Sequence, residues 1–364
     1  MRRSQVDHIL LAAVLTLLGF GVVMVFSASS VEASVVNHNP YYYLERQLVW
    51  AVLGLAAMAI LARFDYHRLA PLVQPVAIVT LVLLIAVLIP HVGREVNGAR
   101  RWLGYGSLLF QPSELAKFSL VLVFGLWLSR VPRVERFWQG IGVPLLLYMF
   151  VAALIVLEPD LGTTLALGGT VLLMMFAAGA NLGQFFGVLA LALPAVGVAI
   201  LVAPYRLQRL LAFLHPESDP QGSGYHIIQS LYALGSGGLF GSGLGQGALK
   251  YFYLPEQHTD FIFSIIGEEL GLVGAVLVLA LFLVLTWRGL RVAMLAPDRF
   301  GALLAVGLTT MVSLQALMNV AVVTASMPIT GIPLPFISYG GSSLVFALGG
   351  MGILLNISRQ AQRA

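Results

Sequence analysis

Residues 71–90 read PLVQPVAIVTLVLLIAVLIP, a stretch without one charged side chain. A helix rises about 1.5 Å per residue, so a run of this length reaches about 30 Å, the thickness of a bilayer's hydrocarbon core. Polar clusters bound it: Arg63, Asp65, His67 and Arg68 before, His91 and Arg94 after. The same pattern recurs along the whole chain. Runs of spanning length predict helices at about 8–28, 47–63, 71–90, 112–130, 141–157, 161–181, 184–204, 261–287, 300–323 and 342–358.

Composition agrees with that reading. The 364 residues are 59% hydrophobic and 10% charged, with a mean hydropathy of +0.91, whereas a soluble domain carries about 25% charged residues. A soluble fold is excluded, and the expectation is an all-α integral membrane protein, a single polytopic domain over 1–364. The net charge of +4 reflects arginines in the loops between apolar runs, so it points to topology rather than nucleic acid. There is no cysteine, so disulfides, thiol catalysis and Cys-ligated metals are absent. Arg2 and Arg3 before an apolar run ending near Ser27-Ala28-Ser29 imitate a secretory signal, but the run exceeds an h-region of about 7 to 15 residues. A retained first helix is expected.

With the N-terminus inside, Arg2, Arg3, Arg63, Arg68, Arg130, Arg133, Arg136, Arg288, Arg291, Arg299, Arg359 and Arg363 fall in cytoplasmic segments, and an even helix count places both termini there. Arg94, Arg100, Arg101, Arg206, Arg209 and Lys250 remain outside, in loops 91–111 and 205–260. The second, between helices seven and eight, is the longest connection, and such loops are usually functional or disordered. Its residues 225–234 suit a short amphipathic helix at the interface. The glycines from Gly235 to Gly247 suit either tight turns or a backbone approach to a phosphate; the strand a dinucleotide fingerprint needs is missing.

Charges at membrane depth are costly, roughly 2.5–3.5 kcal/mol each on insertion scales, so they pair or line cavities. Glu114 and Lys117 are one turn apart on the fourth helix. Glu158 and Asp160 flank Pro159; Asp260 opens the eighth helix, with Glu268 and Glu269 about two turns deeper. Each has a bland explanation: Asp160 as a helix cap, Glu114–Lys117 as a packing pair, Glu268 as an interhelical hydrogen-bonder. Together they favour an outward-opening polar cavity whose basic residues bind an anion, a lipid phosphate above all. Asp260 is the best proton acceptor, since an external substrate can reach it. No spaced metal-ligand motif appears.

Seven ordered motifs then become recognisable: Asn97 to Trp102, Gln111 to Lys117, Pro159 to Thr163, Gly224 to Ser230, Leu254 to Phe263, Gly267 to Gly271, and Pro328 to Phe336 followed by Ser338 to Ser343. The chain resembles the SEDS family of cell-wall polymerases over nearly its whole length, the RodA branch ahead of the division branch, FtsW, and the sporulation branch. One departure is Glu158, where the family commonly has glutamine. The resemblance implies a ten-helix fold in the bacterial inner membrane. It implies polymerisation of lipid II on the outer face, for elongation and rod shape, with release of undecaprenyl diphosphate. It also implies a class B penicillin-binding protein and other elongation-complex membrane proteins as partners.

In that chemistry the acceptor hydroxyl needs a base and the diphosphate needs positive charge. Asp260 is expected as the base. Arg100, Arg101, Lys117 and Arg209 are expected at the diphosphate, with Glu114, Asp160, His258, Thr259, Ser338 and Ser342 completing the substrate site. Glu268, Glu269, Pro333 and Pro335 are expected to shape the cavity. A divalent cation, Mg or Mn, would neutralise diphosphate, although no dedicated ligand set is visible. A lipid II flippase and a non-catalytic scaffold are the competing classes. The first needs charges spread across the membrane, and the second leaves Asp260 without a role.

Overall fold

The computed structural model describes residues 6–96, 98–105, 108–251 and 253–361; Arg2, Arg3, Asn97 and Arg363 lie outside them. Hydrocarbon offers a backbone no hydrogen-bond partners, so a spanning segment satisfies its own as helix. Among the described residues the helices are α1 (His8–Val36), α2 (Tyr42–Arg63), α3 (Val73–Leu88), α4 (Pro112–Arg130), α5 (Val143–Leu157), α6 (Leu161–Ala177), α7 (Leu182–Leu201), α8 (Pro204–Leu214), α9 (Tyr225–Ser236), α10 (Ile262–Met294), α11 (Arg299–Val323) and α12 (Gly341–Gln360). Nine of the described helical units are long and apolar enough to span: α1, α2, α4, α7, α10, α11, α12 and the extended units Tyr66–Leu88 and Trp138–Leu157, which contain α3 and α5. The tenth expected span, α6, has only 17 residues and packs against α4, α5 and α11.

Several boundaries differ from the sequence reading. The first helix continues through Ser27, Ser29 and Ser34 to Val36, because Ser29 and Ser34 each donate their hydroxyl to the carbonyl four residues back, at 2.6 and 2.8 Å. That back-bonding satisfies polar side chains without ending the helix. The second helix starts at Tyr42 rather than near residue 47. The loop 91–111 is not irregular: β1 (Arg94–Val96), β2 (Ala99–Tyr105) and β3 (Leu108–Phe110) form an antiparallel meander, with Glu95 opposite Arg100 and Leu103 opposite Phe110. Gly98, at φ +75°, supplies the left-handed residue at the tip of the first hairpin.

The loop 205–260 contains α8 and α9. The latter is the expected short amphipathic helix, with Ile227, Ser230 and Ala233 buried and Leu231 and Tyr232 exposed. It is anchored by the Ser230 hydroxyl, which donates to the Val323 carbonyl at 2.7 Å and lies 2.8 Å from Ser264 Oγ.

The glycine run that follows braces α10. At Gly271 (φ +65°) α10 leaves helical geometry, and the amides of Leu272 and Val273 turn to the carbonyls of Gly238 and Leu239, at 2.9 and 3.1 Å. A Cβ at Gly271 would stand 2.4 Å from Gly241 N, so only glycine permits this approach. The amides of Gly245, Ala248 and Leu249 bind the carboxylates of Glu269 and Glu268, at 2.6–3.1 Å. The run is therefore a turn system fastened to α10, with these amides committed within the protein.

Candidate active site

Asp260 sits immediately before α10, in a turn held from several sides. Asn319 on α11 donates Nδ2 to the Asp260 carbonyl (2.7 Å) and to the Ile332 carbonyl (2.8 Å). The Ser338 hydroxyl donates to the Thr259 carbonyl (2.6 Å) and accepts from Leu334 N (2.8 Å), while Tyr339 N donates to the His258 carbonyl. The turn's backbone is fixed, but the Asp260 carboxylate has no hydrogen bond among the described residues; Oδ2 faces Gly331. A Cβ at that glycine would reach 3.4 Å from Oδ2.

The charges felt at that carboxylate come from four segments. Burial, Glu256 and, more weakly, Asp160 push the Asp260 acid up, Arg101 and Arg209 pull it down, and the outcome is about 7. Its surface is partly accessible, but protein encloses it on most sides, and desolvation is the largest cause. Arg101 on β2 donates to the backbone carbonyls of Glu158 and Pro159, which aims β2 at the α5–α6 turn. Arg209 on α8 reaches the Ile329 carbonyl at 3.5 Å.

Beside Arg209 and Arg206 opens a cleft of about 220 Å³ between α6, α7 and α8, lined also by Gly162, Leu165, Val196 and Ile329. Its floor is apolar and its rim carries guanidinium groups, a combination that accepts an anionic headgroup with a hydrocarbon tail.

Other residues expected at the substrate have partners of their own. Asp160 caps α6, accepting from Thr163 N and Oγ1 at 3.0 and 2.9 Å, with Gln111 Nε2 at 3.4 Å. Lys117 is buried, 2.9 Å from Glu114 Oε1 and 2.8 Å from Gln315 Oε1, and Gln315 donates to the Pro333 carbonyl at 3.0 Å. Arg100 is exposed and pairs with Glu95 at 3.3 Å. The His258 ring lies against Tyr43 and Tyr339, 3.5 Å from Glu32 Oε2. Thr259 Oγ1 donates to Glu256, and Ser342 Oγ accepts from Gln111 N at 3.3 Å. Pro335 is buried. Lys250, expected among the free outer cations, is buried on Glu269 at 2.9 Å, and the same carboxylate takes the Ser27 hydroxyl at 2.6 Å. Glu269 and Glu268 fasten the loop.

Glu158 differs from all of these. Its side chain is fully buried and neither carboxyl oxygen has a hydrogen-bond partner among the described residues. Burial and the neighbouring Asp160 push it up to about 8, against the pull of Arg101. Asn319, Gln315 and Glu32 were missed by motif reading. The available signal was a polar side chain inside an apolar run, as at Gln315 and Asn319 one turn apart on α11.

The match to the family model of the FtsW, RodA and SpoVE proteins, described as cell cycle proteins, covers residues 8–363. The chain belongs to this family, SEDS. It is 44% identical to a probable peptidoglycan glycosyltransferase FtsW of Geobacter metallireducens, over 98% of this chain and 95% of that one. To stage V sporulation protein E of Bacillus subtilis it is 44% identical over 99% of each. Among solved structures it superposes with TM-score 0.80 and 34% identity on a chain from a study of how a peptidoglycan synthase complex coordinates polymerization and crosslinking, covering 97% of this chain and 98% of that one. The rod shape determining protein RodA of Thermus thermophilus gives TM-score 0.72 and 31% identity, over 99% and 98%. As a SEDS protein the chain is an integral membrane protein, and its fold extends over essentially the full length of these relatives.

Proposed function

We infer that this SEDS protein is a peptidoglycan glycosyltransferase that polymerises lipid II. The carrying observation is the Asp260 carboxylate. It is free of hydrogen bonds among the described residues, sits on a fixed backbone and is held near neutrality, beside Arg101, Arg209 and a cleft suited to a polyprenyl tail. A base works best with a pKa near the working pH.

In the step proposed, the 4-hydroxyl of the acceptor's GlcNAc attacks the anomeric carbon of the donor's MurNAc. The new glycosidic C–O bond forms as the bond from that carbon to the diphosphate oxygen breaks. The bonding electrons leave with undecaprenyl diphosphate, the hydroxyl proton passes to Asp260, and the anomeric centre inverts. Arg101 and Arg209 offset the charge developing on the diphosphate. Among the described residues no three His, Asp or Glu side chains gather to hold a metal ion, so a divalent cation would arrive with the diphosphate.

Polymerisation is favoured over flipping because the open carboxylate and the arginines share one end of the molecule, where a flippase needs a site alternately open to both faces. For the branch, the 44% identities to FtsW and the sporulation relative exceed the 31% to RodA, which supports a division or sporulation role over the rod-shape role that the motifs suggested. The likeness to the peptidoglycan synthase complex supports partnership with a class B penicillin-binding protein. The test is purified protein in detergent with lipid II. Glycan strands should form with the native chain and not with Asp260→Asn, whereas movement of lipid II between leaflets without strand formation would sink the proposal.

A further inference from the structure

At the end of the molecule opposite Asp260, α2 stops at Arg63 and α12 runs out at Gln360. These two helices pack together more extensively than any other pair, and their last turns enclose a cleft of about 240 Å³ lined by Arg63, Asp65, Asn356, Arg359 and Gln360. The neutral groups there are engaged with protein. Asn356 Oδ1 accepts from Tyr66 N at 3.1 Å and from Gln360 Nε2 at 2.9 Å, and its Nδ2 donates to the Ala62 carbonyl at 3.0 Å.

Three nearby carboxylates are engaged too. Asp65 Oδ1 takes the backbone amide of His67 at 3.1 Å, lies 2.8 Å from its ring nitrogen, and accepts from Gln360 Nε2 at 3.2 Å. Asp298 is held by the Tyr66 hydroxyl and the His67 ring, and Asp7 by Arg288 at 2.6 Å. Arg63 and Arg359 are left over: both are exposed, and neither has an ion pair or hydrogen bond among the described residues.

Two guanidinium groups therefore share one cleft with their donors unused; of the acids nearby, Asp298 and Asp7 pair elsewhere, and Asp65, which lines the cleft, has its Oδ1 taken by His67 and Gln360. An anion with several acceptor oxygens relieves the like-charge repulsion and can take both forks. The ends of spanning helices lie at headgroup depth, where basic pockets between helices hold phosphorylated headgroups. We propose that Arg63 and Arg359 form a binding site for the phosphodiester of an anionic phospholipid, seated at the α2–α12 seam and separate from the Asp260 site. A bound lipid would clasp the two helices together at that end.

The full chain in detergent, titrated with phosphatidylglycerol or phosphatidylcholine of the same acyl chains and followed by native mass spectrometry, tests this. The native protein should retain phosphatidylglycerol about tenfold better than phosphatidylcholine, and Arg63→Gln/Arg359→Gln should abolish the preference. Arg359→Gln alone should remove part of it. A control pair, Arg130→Gln/Arg133→Gln, removes the same charge outside the cleft and should leave the preference intact. Equal losses in both double variants would mean diffuse attraction to basic loops and overturn the site. Displacement of the lipid by millimolar inorganic phosphate would assign the cleft to free phosphate and overturn the lipid assignment. Strand synthesis should stay native in the double variant, whereas the rise in melting temperature on adding phosphatidylglycerol should be lost; a rise equal to the native protein's would overturn the site.

Discussion

Asn319, in the last two turns of α11, donates its side-chain amide to the backbone carbonyl of Asp260 at 2.7 Å and to that of Ile332 at 2.8 Å. One buried side chain thus ties the turn bearing the open carboxylate to the segment that faces it across Gly331. Asn319→Leu strands both carbonyls, at about 1–3 kcal/mol for each buried group left unpaired. It also releases the turn, and a displacement of about 1 Å at a reacting group can lower a rate about 100-fold. The expected result is a fall of about 10- to 100-fold in kcat for strand synthesis with KM for lipid II little changed. A loss confined to KM would remove the positioning role.

The pH dependence follows from two raised carboxyls with opposite effects on activity. As the proposed base, Asp260 can accept a proton only when ionised, so the rate should climb as pH rises through about 7. Glu158 ionises through about 8 and then presents a negative charge beside Arg101, weakening diphosphate binding at higher pH. Glu158→Gln should leave the rising limb in place and remove the alkaline decline in kcat/KM. For stability the sign is unfavourable in both cases. An acid raised on folding costs nothing below its ordinary range and costs progressively more as pH climbs to its folded value, so thermal stability should decline between about pH 4 and pH 8, and less steeply in Glu158→Gln.

The spans were legible because each rests on a local property, about 20 apolar residues in a row, and residues 71–90 need no context to be read. The meander over 94–110 escaped because β1 and β3 have only three residues each, too few for a period-two hydropathy pattern to register. At the site, type and position marked Asp260 as a candidate proton acceptor and Arg101 and Arg209 as candidate cations. They could not tell that Lys250 is consumed by Glu269, or that Asn319 holds the Asp260 turn, since those pairings join residues far apart in sequence and depend on how α10 and α11 pack.

The Glu114–Lys117 pair is buried on α4 and extends through Gln315 to Pro333. Lys117→Met leaves a carboxylate unpaired at membrane depth, a change that costs about 3–5 kcal/mol when one partner of a buried pair is removed. The variant should melt at lower temperature and lose strand synthesis. Adding Glu114→Gln should restore the melting temperature but not the activity, because Gln315 and the Pro333 segment still lack their anchor. Normal synthesis in both variants would make the pair packing alone.

Asp160 and Asp260 carry the same side chain near the same end, and substitution by asparagine separates their roles. Asp160 accepts from Thr163 N and Oγ1 as the cap of α6, and asparagine caps about as well as aspartate, so Asp160→Asn should retain most activity. The Asp260 carboxylate caps nothing; its Oδ2 lies beside Gly331, and Arg101 and Arg209 act on it only through their fields. Asparagine there keeps the shape and the backbone bond from Asn319 but cannot accept a proton at neutral pH. Asp260→Asn should lower kcat by about two to four orders of magnitude, the usual contribution of a positioned base, and abolish the limb rising through about 7. Expression and lipid II binding should stay near native. Activity surviving in Asp260→Asn but lost in Asp160→Asn would exchange the two assignments and move the base to the α5–α6 turn, beside Glu158.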